Sequence, residues 1–258
     1  MKFLLFFLCL FCSLPAVLYA QVDISPKLVV FNKAEIPQNI IVQHSFNTSK
    51  KITLEPIHYR QDENGQYTKL EKPLSSKFNP DKFIEITPQE IELEPSQKKH
   101  VQLSLKNWDQ LEDGEYRFHL KAIEDIKERS EEKEGISIQF QWGISIPVVI
   151  RKGVLNLETQ LKDVSLKPFS DDSQKPQLHV TAFRQGSKSA LGKINVLWSE
   201  EGQDFEKIGE LNNFNIFTDI SHRKAAIHLT KLPKKGILKI YYLETLTGEL
   251  LDEISITL

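Results

Sequence analysis

The residues that could do chemistry are scattered along this chain. Its seven histidines are His44, His58, His100, His119, His179, His222 and His228. No two stand four residues apart beside an acid, the spacing by which one helix face offers a metal two ligands and a base. His44 and His119 fall inside alternating runs and read as partly exposed or hydrogen-bonded strand residues. Gly143-Ile144-Ser145-Ile146-Pro147 places a serine after a glycine, but the second glycine of a nucleophile elbow is missing and no helix follows. Glu63, Glu90 and Glu92 lie in turns or alternating stretches, with nothing to mark them as a glycosidase pair. There is no glycine-rich phosphate loop. The only two cysteines, Cys9 and Cys12, sit in the apolar N-terminal stretch, so neither thiol catalysis nor a thiolate metal site is expected beyond it. The sequence therefore predicts no enzyme, no cofactor and no metal.

Non-enzymatic function leaves the elements themselves to be read. Residues 1–20 carry Lys2, an apolar run from Phe3 to Leu14 and a small residue at Ala20, the pattern of a cleaved signal peptide. The run is shorter than the roughly 20 residues a membrane span needs, and no later stretch is long enough. The mature chain is expected in the periplasm, held together without disulfides. The 258-residue chain is 40% hydrophobic and 26% charged, with a net charge of −2. That balance suits globular domains and gives nucleic acid no basic surface to bind.

Hydrophobicity alternates with period 2. Ile40, Val42, His44 and Phe46 form one row, Val101, Leu103 and Leu105 another, and Tyr116, Phe118 and Leu120 a third. Ile194, Val196 and Trp198 repeat the pattern, as do Ile254, Ile256 and Leu258. Such alternation marks strands with one buried face. Turn signals such as Asn64-Gly65, Asp113-Gly114 and Thr247-Gly248 separate them. The expected fold class is all-β: two immunoglobulin-like β-sandwich domains in tandem, 21–152 and 153–258, divided after Arg151-Lys152. Nine of the eleven residues from Glu124 to Glu134 are charged, as in a long solvated loop.

One row is unusually long. Ile136, Ile138, Phe140, Trp142, Ile144, Ile146, Val148 and Ile150 alternate without a break. They predict a strand of roughly 15 residues, against a usual length of about 5–6. Pro147 cannot donate a ladder hydrogen bond, which places this strand at an open edge. Proteins usually blunt such edges because they recruit other chains. An edge kept long and apolar is suited to adding itself to another sheet.

Further pieces of the first domain carry a resemblance. They are Ile24-Ser25-Pro26 followed by Val29-Val30-Phe31; Ile86-Thr87-Pro88 through Leu93-Glu94-Pro95 to Val101-Gln102-Leu103; Asp113-Gly114-Glu115-Tyr116-Arg117; and Gly143 to Pro147 ending in Arg151. In this order the chain resembles the periplasmic pilus-assembly chaperones, the PapD-like family. The resemblance implies a chaperone that caps exported, β-rich, pilin-like subunits by donor-strand complementation and hands them to an outer-membrane usher. It implies that Ile136, Ile138, Phe140, Trp142, Ile144 and Ile146 contact the client. Family members hold the client's terminal carboxylate with an arginine and a lysine. Here Ser145 stands at the lysine position, which leaves Lys27, Arg151 and Lys152 as the cations for that task. Glu115 and Arg151 match positions that pair near the domain interface. The alternative is a non-chaperone envelope interaction or adhesion module on the same sandwiches. Without a client, the donor strand could pair with itself in a dimer.

Overall fold

The computed structural model describes residues 22–73, 78–125, 143–168, 175–201 and 203–258. The first ten strands are β1 Val22–Ser25, β2 Val29–Phe31, β3 Gln38–His44, β4 Lys50–Gln61, β5 Tyr67–Leu70, β6 Ile84–Thr87, β7 Glu90–Leu93, β8 Lys98–Leu105, β9 Gly114–Glu124 and β10 Gly143–Lys152. A single helical turn, α1, spans Pro80–Phe83, and Asn79 caps it by accepting from the Asp81 amide. These strands form two sheets, ordered β1-β3-β8-β6 and β2-β10-β9-β4-β5, with β7 on the other part of β4. The opening segment changes sheets: β1 runs antiparallel to β3, and β2 runs parallel to β10. In immunoglobulin lettering the sheets are A-B-E-D and A′-G-F-C-C′.

The alternating rows supply the filling between them. Ile40, Val42, Val101, Leu103, Leu120, Val148 and Ile150 are fully buried, and Phe118 nearly so. His44 sits in this row without a penalty. Its Nδ1 accepts from the Phe46 amide at 3.0 Å, which leaves Nε2 to donate to the Leu93 carbonyl at 2.8 Å.

A second pair of sheets follows, made of β11 Leu157–Lys167, β12 Gln177–Gly186, β13 Ala190–Ser199, β14 Glu206–Ile216, β15 His222–His228, β16 Ile237–Glu244 and β17 Leu250–Thr257. Their orders are β11-β12-β15 and β14-β13-β16-β17. Leu178, Val180, Ile194, Val196, Phe214, Leu238 and Ile240 fill the space between them. Tyr242 is completely buried there, and its hydroxyl lies 2.9 Å from the Phe214 carbonyl and 3.1 Å from that of Ala190. Burial pushes this phenol far above its ordinary range. The fold is thus all-β, two sandwiches in tandem with separate cores.

Between β10 and β11 the chain crosses once, through residues 153–156. Gly153 takes a φ of +77°, and a Cβ there would stand 2.4 Å from the Asp113 carboxylate. Only glycine fits both conditions. Gly153→Ala is expected to cost about 1–3 kcal/mol in backbone strain alone. Thermal unfolding measures this, and an unchanged midpoint would show that the crossing does not constrain the sandwiches.

Candidate functional site

Strand β10 is flanked unevenly. β9 pairs with it from Gly143 to Lys152, whereas β2 pairs only at 148–150. Among the described residues, no strand lies beside 143–147 on the side away from β9. Pro147 falls in this unpaired half, where its missing N–H costs nothing. The two faces of β10 differ. Ile146, Val148 and Ile150 enter the core of the first sandwich, and Ile144 packs against it from a half-buried position. On the other face Gly143 is exposed, Ser145 and Pro147 are half-buried, and Val149 is fully buried.

Ile146 is 1% exposed and packs in the protein's own core. The alternation that runs through the row puts it in one file with Val148 and Ile150, on the inner face of the sheet. Ile136, Ile138, Phe140 and Trp142 lie outside the described residues.

The three cations expected to hold a carboxylate are not gathered at one point. Lys27 forms a surface ion pair with Asp23, an arrangement that water and salt weaken. Arg151 donates from Nε to Glu115 at 2.9 Å and from Nη2 to the Ser189 carbonyl at 3.2 Å. The Lys152 ammonium donates to the carbonyls of Trp108 and Leu111 at 2.9 and 2.5 Å, capping the short helical turn Trp108–Gln110. Arg151 and Lys152 are thus bound internally. A carboxylate could take either one only after these bonds break.

Glu115 and Arg151 stand opposite each other on β9 and β10. Glu115 also accepts from the Ser189 amide at 3.0 Å, so the pair reaches across to the second sandwich. Beside it lies a dry patch of Leu28, Val149, Leu191 and Phe217, drawn from both sandwiches.

The rest of this junction is not foreseen from the sequence. Arg117 of β9 donates through Nη2 to Asp219 at 3.0 Å and to the Tyr59 carbonyl at 2.8 Å. The Phe217 ring lies 4.0 Å from the guanidinium carbon. Burial pushes the Arg117 guanidinium below its ordinary value, against the opposing pull of Asp219. Asp219 also accepts from the Gln61 amide at 2.9 Å. Beyond it, the turn joining β4 and β5 reaches the second sandwich. Glu63 accepts from Lys224 at 2.7 Å and from His222 at 2.9 Å, and its carbonyl accepts from the Lys224 amide at 2.8 Å. The hydrogen bonds it accepts, first from the Lys224 ammonium and then from His222, hold the Glu63 carboxyl below its usual range. Gly65 completes the turn with φ +81°, where a Cβ would collide with Arg223.

His119 departs from its expected role as an exposed or hydrogen-bonded strand residue. It is 2% exposed, and both ring nitrogens lack a partner. It stands opposite Pro147, which offers no N–H, and opposite Ile57 on the other side. The rings of Tyr59 and Tyr67 meet it edge-on at 5.0 Å. Burial first, then the charge of Arg117 and the neighbouring His58, lower its pKa from 6.5 to about 3. The unfolded chain therefore binds a proton that the folded chain refuses. Stability from this site is complete above pH 6.5 and is lost as pH falls toward about 3. His119→Phe should flatten that acid limb, as read from denaturation midpoints across the window. Parallel curves for the two proteins would contradict the assignment.

No known family matches the sequence, and no curated protein matches it. Solved structures do. The chain is similar in structure to fimbrial chaperones. A chaperone–tip adhesin complex of CFA/I fimbriae biogenesis shares 12% identity over 92% of this chain and 98% of that one, at a TM-score of 0.48. A Salmonella enterica SafA pilin complex with the SafB chaperone shares 10% identity over 93% and 97%, at 0.43. The E. coli chaperone DraB shares 12% over 92% and 96%, at 0.41.

Proposed function

We propose that this protein is a periplasmic chaperone that caps an exported, β-rich subunit by lending it a strand. The observation that carries the reading is the half-paired β10. Its 143–147 edge has no strand beside it among the described residues. The sequence continues the same apolar alternation backwards through Trp142, Phe140, Ile138 and Ile136. A strand with free main-chain groups and a file of large side chains suits a partner sheet that lacks one strand. Main-chain bonds supply general affinity, and Phe140 and Trp142 fill pockets. An outer-membrane usher would then receive the subunit. Glu115, Arg151 and Ser189 fix the angle between the sandwiches in this account and do no chemistry.

The second reading is an envelope interaction module without a folding client. The internal engagement of Arg151 and Lys152 favours it, because neither cation is left over for a client's terminus. Capture of the subunit by the Trp142→Asp variant separates the two. Lost capture with an intact fold supports strand donation, and undiminished capture removes it.

A further inference from the structure

His119 is a titratable side chain held dry at the junction. It lies on β9, buried, and neither ring nitrogen has a partner. Pro147 of β10 and Ile57 of β4 stand opposite it on the two neighbouring strands. The rings of Tyr59 and Tyr67 meet it at 5.0 Å. The Phe217 ring, contributed by the second sandwich, lies 6.4 Å from it and 4.0 Å from the guanidinium carbon of Arg117. Arg117, His119 and Lys121 share one face of β9, so a single ring from the other sandwich covers the first two. The acids of the adjoining elements are committed to other cations. Glu55 of β4 accepts from Lys121 at 3.4 Å, and Asp219 accepts from Arg117 at 3.0 Å. β5 adds the exposed Lys69 beside Tyr67, and β10 has no charged residue from Gly143 to Ile150. His58 lies next to Ile57, on the opposite face of β4.

We infer that His119 is an acid-operated release for the junction: on taking up a proton it parts the two sandwiches while each stays folded. The imidazolium carries two N–H donors and a charge. Burying these without a partner costs far more than burying the neutral ring, so the charged ring must reach water. Ile57 and Pro147 are fixed within the sheet. Turning Tyr67 aside would wet His119 alone. Withdrawing Phe217 wets His119 and Arg117 together, and so relieves two like charges on one face of one strand. The single crossing at 153–156 lets the second sandwich withdraw as a body. What holds the junction shut at neutral pH includes the packing of Phe217 on Leu28, Val149 and Leu191. The closed form keeps His119 neutral down to about 3, whereas the ring in water protonates near 6.5. Opening therefore takes up one proton within that window, and each pH unit of acidification raises the open-to-closed ratio about tenfold. The inference concerns the junction alone and stands apart from strand donation.

The test is a distance between two nitroxide labels, one on each sandwich, attached through Glu85→Cys and Lys235→Cys at exposed positions. Double electron–electron resonance reads it from about pH 7.5 to about pH 4, across the window in which the proton is taken up. A second, longer distance should appear on acidification, grow about tenfold per pH unit relative to the first, and vanish on return to neutral pH. Far-ultraviolet circular dichroism should not change over the same range. His119→Phe should keep the neutral distance throughout, although Glu63, Glu115 and Asp219 remain in place. Ring-nitrogen NMR of the wild-type protein should show His119 titrating along the same curve as the distance, a readout that stands even if the variant does not fold. A constant distance while His119 titrates would overturn the inference, because Tyr67 alone would then have moved. Equal opening in His119→Phe would also overturn it, and would assign the acid response to the junction carboxylates.

Discussion

Asp219→Ala is expected to split the unfolding of this protein into two transitions. The substitution leaves Arg117 buried at 5% exposure with its charge unanswered. Stranding one member of a buried pair costs about 3–5 kcal/mol if the surroundings stay closed. The chain has a cheaper escape, because Arg117 and Asp219 belong to different sandwiches. Parting the junction returns Arg117 to water and forfeits the apolar patch of Leu28, Val149, Leu191 and Phe217. Each sandwich, with its own core, then unfolds by itself. The double variant Arg117→Met, Asp219→Leu removes both charges and keeps apolar volume, so it should restore one transition near the wild-type midpoint. Calorimetry distinguishes these cases. A single transition at the wild-type position for Asp219→Ala would mean that the pair does not couple the sandwiches.

The second large effect is on partner capture. Trp142→Asp should weaken binding of the exported subunit by at least two orders of magnitude. A large side chain transferred from water to an apolar pocket contributes roughly 1.5–3 kcal/mol. An aspartate in its place adds the cost of burying a carboxylate without a partner. Together these exceed the ~2.7 kcal/mol that a hundredfold change in Kd represents. The unfolding midpoint should match wild type, which separates lost recognition from lost structure. Retained affinity would show that the alternating row is not the contact surface.

Strand rows were legible because period 2 is written directly into the residues. Ile40 and Val42, or Val101 and Leu103, announce a buried face from their spacing alone, and they are fully buried in the core. The junction was not legible for the opposite reason. Arg117 and Asp219 lie 102 positions apart, as measured along the chain, and Glu63 and Lys224 lie 161 apart. Their meeting depends on how two finished sandwiches pack, which no local pattern records. A partial signal existed in β9, where Arg117 and His119 alternate with Tyr116, Phe118 and Leu120. Two polar residues on one face of a strand in the middle of a sheet call for a cover, and Phe217 and Asp219 provide it. Ile146 shows the converse limit. Alternation states that a residue shares a face with its neighbours, and it does not state where the protein's own core ends and a partner's would begin.

On the proposed reading, β10 and the row before it are lent to another chain. Its most direct test is affinity purification of the tagged protein from the periplasm of the cell that makes it, with mass spectrometry of what co-elutes. A small, β-rich exported subunit is expected at near one-to-one stoichiometry, absent when the Trp142→Asp variant is used as bait. A lone monomer or self-dimer, recovered while candidate subunits are being expressed, would contradict it.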